Sequence, residues 1–231
     1  MKHYKILLFD LDGVIFDFDK TEQHAFYETF EKYGLPVSKE IFEHYAKINH
    51  QLWHDFEEGK VTKDEVTIGR FVKLFKDYHF EKDATMFAKD YQDGLAHGMF
   101  LIENAKEVLE KVSQHYRLYA VTNGVSSTAF SRLRGTDTLK YFKDVFVSED
   151  LNAQKPSLEY FHQVFDRIED FNADETLLIG DTLNSDILGA QLAGIDSCWI
   201  NSKGVKNTLG IEPTYEIKKI EELFQYLCDM N

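Results

Sequence analysis

Long apolar runs are missing from this sequence. No stretch approaches the roughly 20 residues that cross a bilayer, and the N-terminal apolar run is four residues long and ends in acids, so neither a membrane span nor a secretory signal is expected. Cysteine is scarce, with 2 in 231 residues. Cys198 and Cys228 have no metal-ligand spacing, and Cys198 lies in an apolar stretch expected to be buried, which points to a reducing cytoplasm. Positive charge is short as well: 26 Lys+Arg face 40 Asp+Glu, for a formal net charge of -14. That balance argues against a nucleic-acid polymer or an anionic membrane as partner, and a solvated acidic surface accounts for the surplus. The 9 histidines show no paired zinc spacing. Internal repeats and low-complexity segments are absent. The length suits one large or two small domains, and both a monomer and a homodimer are compatible with it.

What is present is organised around Ile6-Leu7-Leu8-Phe9-Asp10-Leu11-Asp12-Gly13-Val14. Four consecutive apolar residues without polar alternation read as a strand buried on both faces of a parallel sheet. Two aspartates and a glycine then fall at its C-terminal end, the edge where open α/β sheets bind ligands. Asp-Gly is also ordinary turn chemistry, so this motif gains meaning only from others. From residue 17 to 95 the pattern is helical throughout. A first helix over Glu22–Tyr33 stops at Gly34 and Pro36. A second runs from Ser38 to Gly59, and a third starts at the capping box Thr62-Lys63-Asp64-Glu65 and presents Ile68, Phe71, Phe75 and Tyr78 as one face. A fourth covers about Asp83–Leu95. These residues form a cap inserted after the first strand, a lid by position, with 1–16 and 96–231 as the core.

Beyond the cap, strand and helix alternate as a doubly wound parallel sheet requires. Leu118–Val121 ends in Thr122-Asn123-Gly124, and Lys155-Pro156 precedes a helix capped by Ser157. Thr176–Ile179 ends in Gly180-Asp181 with Asp186 five residues on, in the first turn of the next helix. Later come strands at Ser197–Ile200 and Tyr215–Ile217 and an amphipathic helix carrying Ile220, Leu223, Phe224 and Leu227. Each polar residue has a plainer reading: Asp181 as a helix N-cap, Asp186 as a first-turn acid favoured by the macrodipole, Lys155 as a solvated lysine. Asp17 and Asp19 read as solvated flanks.

The DxDG, the Thr-Asn-Gly, the isolated lysine and the GDxxxxD, in this order at strand ends, resemble the haloacid dehalogenase (HAD) superfamily over the whole chain. The resemblance implies an aspartate pair, a Ser/Thr, a Lys and an acidic pair as the working motifs. In that frame Asp10, Asp181 and the backbone carbonyl of Asp12 offer hard oxygen ligands to Mg²⁺, and Asp186 joins through a water or orients Lys155. The Thr122 hydroxyl, the Asn123 amide and the Lys155 ammonium face the phosphoryl oxygens. Asp10 is the nucleophile, and Asp12 the acid and base. A dehalogenase releases a halide that needs no proton, so Asp12 favours phosphoryl chemistry on a small phosphate monoester.

Within the cap, Ile48-Asn49-His50-Gln51-Leu52-Trp53, Phe56 through Thr62 and Gly69-Arg70-Phe71 look like the noncanonical pyrimidine 5'-nucleotidase branch, though Val14 stands where many relatives carry threonine. Asn49 and Trp53 share a helix face. With Arg70 they are the candidates for substrate choice, against a plainer reading of Trp53 as cap core and Arg70 as a surface ion-pair partner. Other readings are a sugar-phosphate phosphatase, a beta-phosphoglucomutase-like mutase, against which His24 stands twelve rather than ten residues past Asp12, and a catalytically silent scaffold.

Overall fold

The computed structural model describes residues 2–228. Residues up to Phe18 and from Met99 onward make one compact unit, and Asp19–Gly98 make a second. In the first, β1 (Ile6–Phe9), β2 (Arg117–Thr122), β3 (Asp144–Val147), β4 (Thr176–Gly180), β5 (Asp196–Ile200) and β6 (Tyr215–Ile217) form one sheet in the order β3-β2-β1-β4-β5-β6. Every neighbouring pair is parallel. Side chains alternate across it: Leu7 and Phe9 of β1 enter one hydrophobic cluster, Ile6 and Leu8 the other. An apolar run without alternation is what a strand covered on both faces needs.

The second unit is all helix: α1 (Phe18–Lys32, entered from the first unit), α2 (Lys39–Glu57), α3 (Lys63–Thr67), α4 (Gly69–Tyr78) and α5 (Ala84–His97). Ser38 caps α2, and the capping box at Thr62 and Glu65 is formed in full. The expected single helix from Thr62 to Tyr78 breaks at Ile68, next to Gly69, whose missing side chain weakens helix formation. Aromatic rings fill the interior, with Tyr45 stacked on Phe71 and Phe71 packed on Phe87 and Tyr91.

Returning to the first unit, α6 (Ala105–Val112), α7 (Ser126–Gly135), α8 (Ser148–Leu151), α9 (Leu158–Phe165) and α10 (Leu188–Ala193) complete the layers. Residues of α6 and α7 pack on the Leu7 face, and residues of α8, α9 and α10 on the Ile6 face. The segment expected as a C-terminal amphipathic helix forms 3-10 turns over Ile220–Gln225 instead; Ile220 and Leu223, three apart, still reach the core, and that spacing eclipses in a 3-10 turn. Among the described residues, no helix is long and apolar enough to cross a membrane.

Candidate active site

Because β1 is central and its neighbours are parallel, the C-terminal ends of β1, β2 and β4 open on one edge. Phe9 pairs with Ala120 and Ile179, so Asp10 leaves β1 level with Val121 and Gly180. Asp181 and Asp186 arrive from β4 and a π-type turn over Leu183–Ile187, a geometry common at functional sites. Two glycines permit the approach. Gly13 has φ +78, and a Cβ there would meet Asp181 Oδ2 at 2.1 Å; a Cβ on Gly180 would meet Asp186 Cβ at 2.3 Å.

Lys155 is the hub. Its ammonium donates to Asp10 Oδ1 at 2.8 Å, Asp186 Oδ1 at 2.6 Å and the Val121 carbonyl at 3.1 Å, which engages all three of its hydrogens. Its main chain is held by Asn123, whose Nδ2 donates to the Lys155 carbonyl at 3.0 Å and whose Oδ1 accepts from the Lys155 N–H at 2.9 Å. The Asn123 side chain therefore positions the Lys155 main chain. Burial alone would push the Lys155 ammonium down, but the Asp10 and Asp186 carboxylates outweigh that and hold it above the ordinary lysine range. The plainer reading of Lys155 as solvated does not hold: it is 1% exposed.

Asp10, Asp181 and Asp186 bring ligand oxygens within 4.8 Å of one another. Burial pushes the Asp10 carboxyl well above its usual range, with Lys155 opposing and Asp186 and Asp181 adding to the rise. Burial and then the Asp186 charge push Asp181 up to about 7. Three carboxylates against one ammonium leave surplus negative charge, and a donor set made wholly of oxygen suits a hard divalent cation such as Mg²⁺. Within the set, Asp186 has both oxygens engaged, by the Lys155 ammonium and by the Thr182 N–H at 3.1 Å, so it holds the lysine in place. The second oxygen of Asp10 carries no hydrogen bond among the described residues. Thr122 accepts from the Gly124 N–H at 3.0 Å through Oγ1.

Asp12 has a partner that pattern reading missed. Arg132 of α7 donates from Nη1 to Asp12 Oδ1 at 2.6 Å and from Nη2 to Oδ2 at 3.2 Å. One signal was available: Thr128, Ala129, Arg132 and Leu133 share the buried face of α7, and an arginine on an apolar stripe asks for a buried acid.

In the second unit, a buried polar chain ties four helices together. Asn49 Nδ2 donates to Glu22 at 2.6 Å, Arg70 Nη1 donates to Asn49 Oδ1 at 3.0 Å, and Arg70 Nη2 reaches Gln92 at 3.4 Å. Arg70 is 1% exposed, so it is no surface ion-pair residue. Trp53 lies apart from this chain, half-buried, edge-on to Phe56 with the Lys63 ammonium 4.9 Å from its ring centre. His24 is half-exposed and sits 3.3 Å from Glu28.

The sequence model of the haloacid dehalogenase-like hydrolases matches residues 7–200. HAD-hydrolase YfnB of Bacillus subtilis (strain 168) is 46% identical, covering 98% of this chain and 97% of its own length. Its crystal structure, bound to magnesium, superposes with a TM-score of 0.94 over 98% of this chain and 99% of that one. Pyrimidine 5'-nucleotidase PynA of Streptococcus pneumoniae is 36% identical over 97% of this chain and 95% of its own. Pyrimidine 5'-nucleotidase YjjG of Escherichia coli (strain K12) is 28% identical over 96% and 97%. The acids at the ends of β1 and β4, the lysine between them and the match over most of the length agree: the chain belongs to the haloacid dehalogenase-like hydrolase family.

Proposed function

We propose that this enzyme is a Mg²⁺-dependent phosphomonoesterase that hydrolyses pyrimidine nucleoside monophosphates through an aspartyl-phosphate at Asp10. The observation that carries the reading is Asp10 itself: one carboxylate oxygen is pinned by Lys155 and the other is left for attack. The magnesium-bound relative and the two relatives named as pyrimidine 5'-nucleotidases support the finer assignment.

Asp10, Asp181 and the Asp12 carbonyl would hold the metal, which when bound supplies positive charge against a phosphate dianion. The free Asp10 oxygen attacks phosphorus, the bond from phosphorus to the 5'-oxygen breaks, and Asp12 gives that oxygen its proton. Asp12, now a carboxylate, takes a proton from water as the water attacks the aspartyl-phosphate, releasing phosphate and restoring Asp10. The Thr122 hydroxyl and the Asn123 main-chain N–H donate to the phosphoryl oxygens, and Lys155 steadies Asp10. The test is a phosphatase screen with Mg²⁺ over nucleoside and sugar monophosphates, repeated after chelation. Pyrimidine nucleotides should lead in kcat/KM, and chelation should remove activity that added Mg²⁺ restores. A sugar phosphate outrunning every nucleotide, or activity untouched by chelation, rejects the assignment.

For substrate choice the proposal centres on Trp53, because Asn49 and Arg70 already engage each other inside the helical unit. As a platform for the base, Trp53→Ala should lower kcat/KM for a pyrimidine nucleotide by roughly tenfold or more, matching a stacking contribution of about 1–3 kcal/mol, and spare a small aryl phosphate. Equal losses on both substrates, or a sharp fall in Tm, would make Trp53 part of the packing around Leu52, Phe56 and Val66.

A further inference from the structure

An arginine placed inside a protein needs an acid, since desolvating a guanidinium costs several kcal/mol. Arg132 is 2% exposed, and its carboxylate partner among the described residues is Asp12. The fork is uneven: Oδ1 is held at 2.6 Å and Oδ2 at 3.2 Å. Oδ2 is also the oxygen on the side of the phosphate-binding turn, for a Cβ placed on Gly124 would lie 3.8 Å from it and 3.2 Å from Thr122 Oγ1.

The guanidinium also grips the turn that carries Asp12, 4.6 Å from the centre of the Phe16 ring. Phe16 is tied back into that turn, its N–H donating to the Leu11 carbonyl at 2.8 Å and its carbonyl accepting from the Gly13 N–H at 2.9 Å. Arg132 Nε, meanwhile, is buried without a hydrogen-bond partner. The side chain is thus oriented to give both terminal nitrogens to Asp12 even though that leaves one donor unsatisfied.

We propose that Arg132 is a positioning residue for the proton-transfer steps: it anchors Asp12 through Oδ1 and so presents Oδ2 as the oxygen that gives and takes the proton. The Asp12 side chain is 28% exposed and would otherwise sample other rotamers, and misplacing a catalytic group by about 1 Å costs on the order of 100-fold. This inference rests on Asp12 being the acid and base.

The experiment compares Arg132→Met, Arg132→Lys, Asp12→Asn and the double variant Asp12→Asn/Arg132→Met on uridine monophosphate and on p-nitrophenyl phosphate, whose leaving group needs little help from a proton. Arg132→Met should lower kcat on the nucleotide roughly ten- to a hundredfold with KM nearly unchanged, and lower it far less on the nitrophenyl ester. Arg132→Lys, which keeps a charge and one contact, should recover part of the loss. It carries the comparison if the methionine variant fails to fold. The double variant should be no slower than Asp12→Asn alone, because an unanchored asparagine has no proton left to misplace. Equal slowing of both substrates by Arg132→Met, or a loss that multiplies with that of Asp12→Asn, overturns the positioning role and leaves the acid/base reading intact. If Asp12→Asn itself slows both esters equally, the acid/base reading falls and the role of Arg132 falls with it.

Discussion

Asp10→Asn should stop turnover while leaving the fold at least as stable. Loss of a covalent nucleophile is felt on the scale of about 10⁴-fold or more in kcat, and asparagine cannot form the acyl-phosphate. Stability moves the other way because Asp10 is a buried acid facing Asp186 and Asp181 with one lysine to offset it. Burial, foremost, and those acids hold its carboxyl above the usual range. In the metal-free protein the folded chain therefore binds that proton more tightly than the unfolded chain. The resulting stabilisation is complete below the ordinary aspartate pKa and is lost as pH rises through the folded value. Asn keeps an acceptor for the Lys155 ammonium and carries no charge, so the Tm of the variant should gain on wild type as pH rises, by about 2–4 °C for each kcal/mol at this chain length. Added Mg²⁺ should narrow the gap, since the ion favours the wild-type carboxylate. Phosphate release and thermal melts at several pH values measure both effects. Residual activity above about 1% of wild type removes Asp10 from the nucleophile's place, and a Tm that drops at every pH would show that its charge supports the fold.

Lys155→Met is the opposite case and should damage fold and function together. The ammonium lies 2.8 Å from Asp10 and 2.6 Å from Asp186, which is wholly buried. Removing one member of a buried ion pair costs about 3–5 kcal/mol because the remaining charge is stranded. That corresponds to a loss of roughly 6–20 °C in Tm. Turnover should fall by about 10³-fold, as expected when a preorganised charge is taken from a site where negative charge reacts. A second substitution separates the two: Lys155→Met/Asp186→Asn relieves the stranded carboxylate and should recover much of the Tm without recovering turnover. A single variant that melts within about 2 °C of wild type would mean that water, not the lysine, balances these acids.

How much of this could be read in advance depends on how far apart in the chain the causes lie. The strand of Ile6–Phe9 and the acids after it were legible because a strand covered on both faces leaves an unbroken apolar run, and a parallel sheet sends every such run to the same edge. The capping box at Thr62 was legible for a similar reason, its partners being three residues apart. The break at Ile68 and the 3-10 turns at Ile220–Gln225 were not, since periodicity marks which residues face inward and is nearly blind to how tightly the backbone winds between them.

That Asp10, Asp181, Asp186 and Lys155 come together was legible from the order of strand ends, and the bonds they make there were not. Composition and local pattern by themselves pointed to an α/β core with a helical insertion and to acids after the apolar runs that precede Asp10 and Asp181, while Lys155 and Asp186 were singled out through the order of motifs that resembles the haloacid dehalogenase superfamily. Only the tertiary structure decided that Asn123 holds the lysine's main chain, that Asp186 has both oxygens engaged, that Asn49 and Arg70 bond to each other, and that Arg132 grips Asp12 from 120 residues away. The physical reason is that a buried charge must find a partner at about 3 Å, and which side chain fills that place is set by helix packing across the sheet, a relation that leaves no periodic trace along the chain.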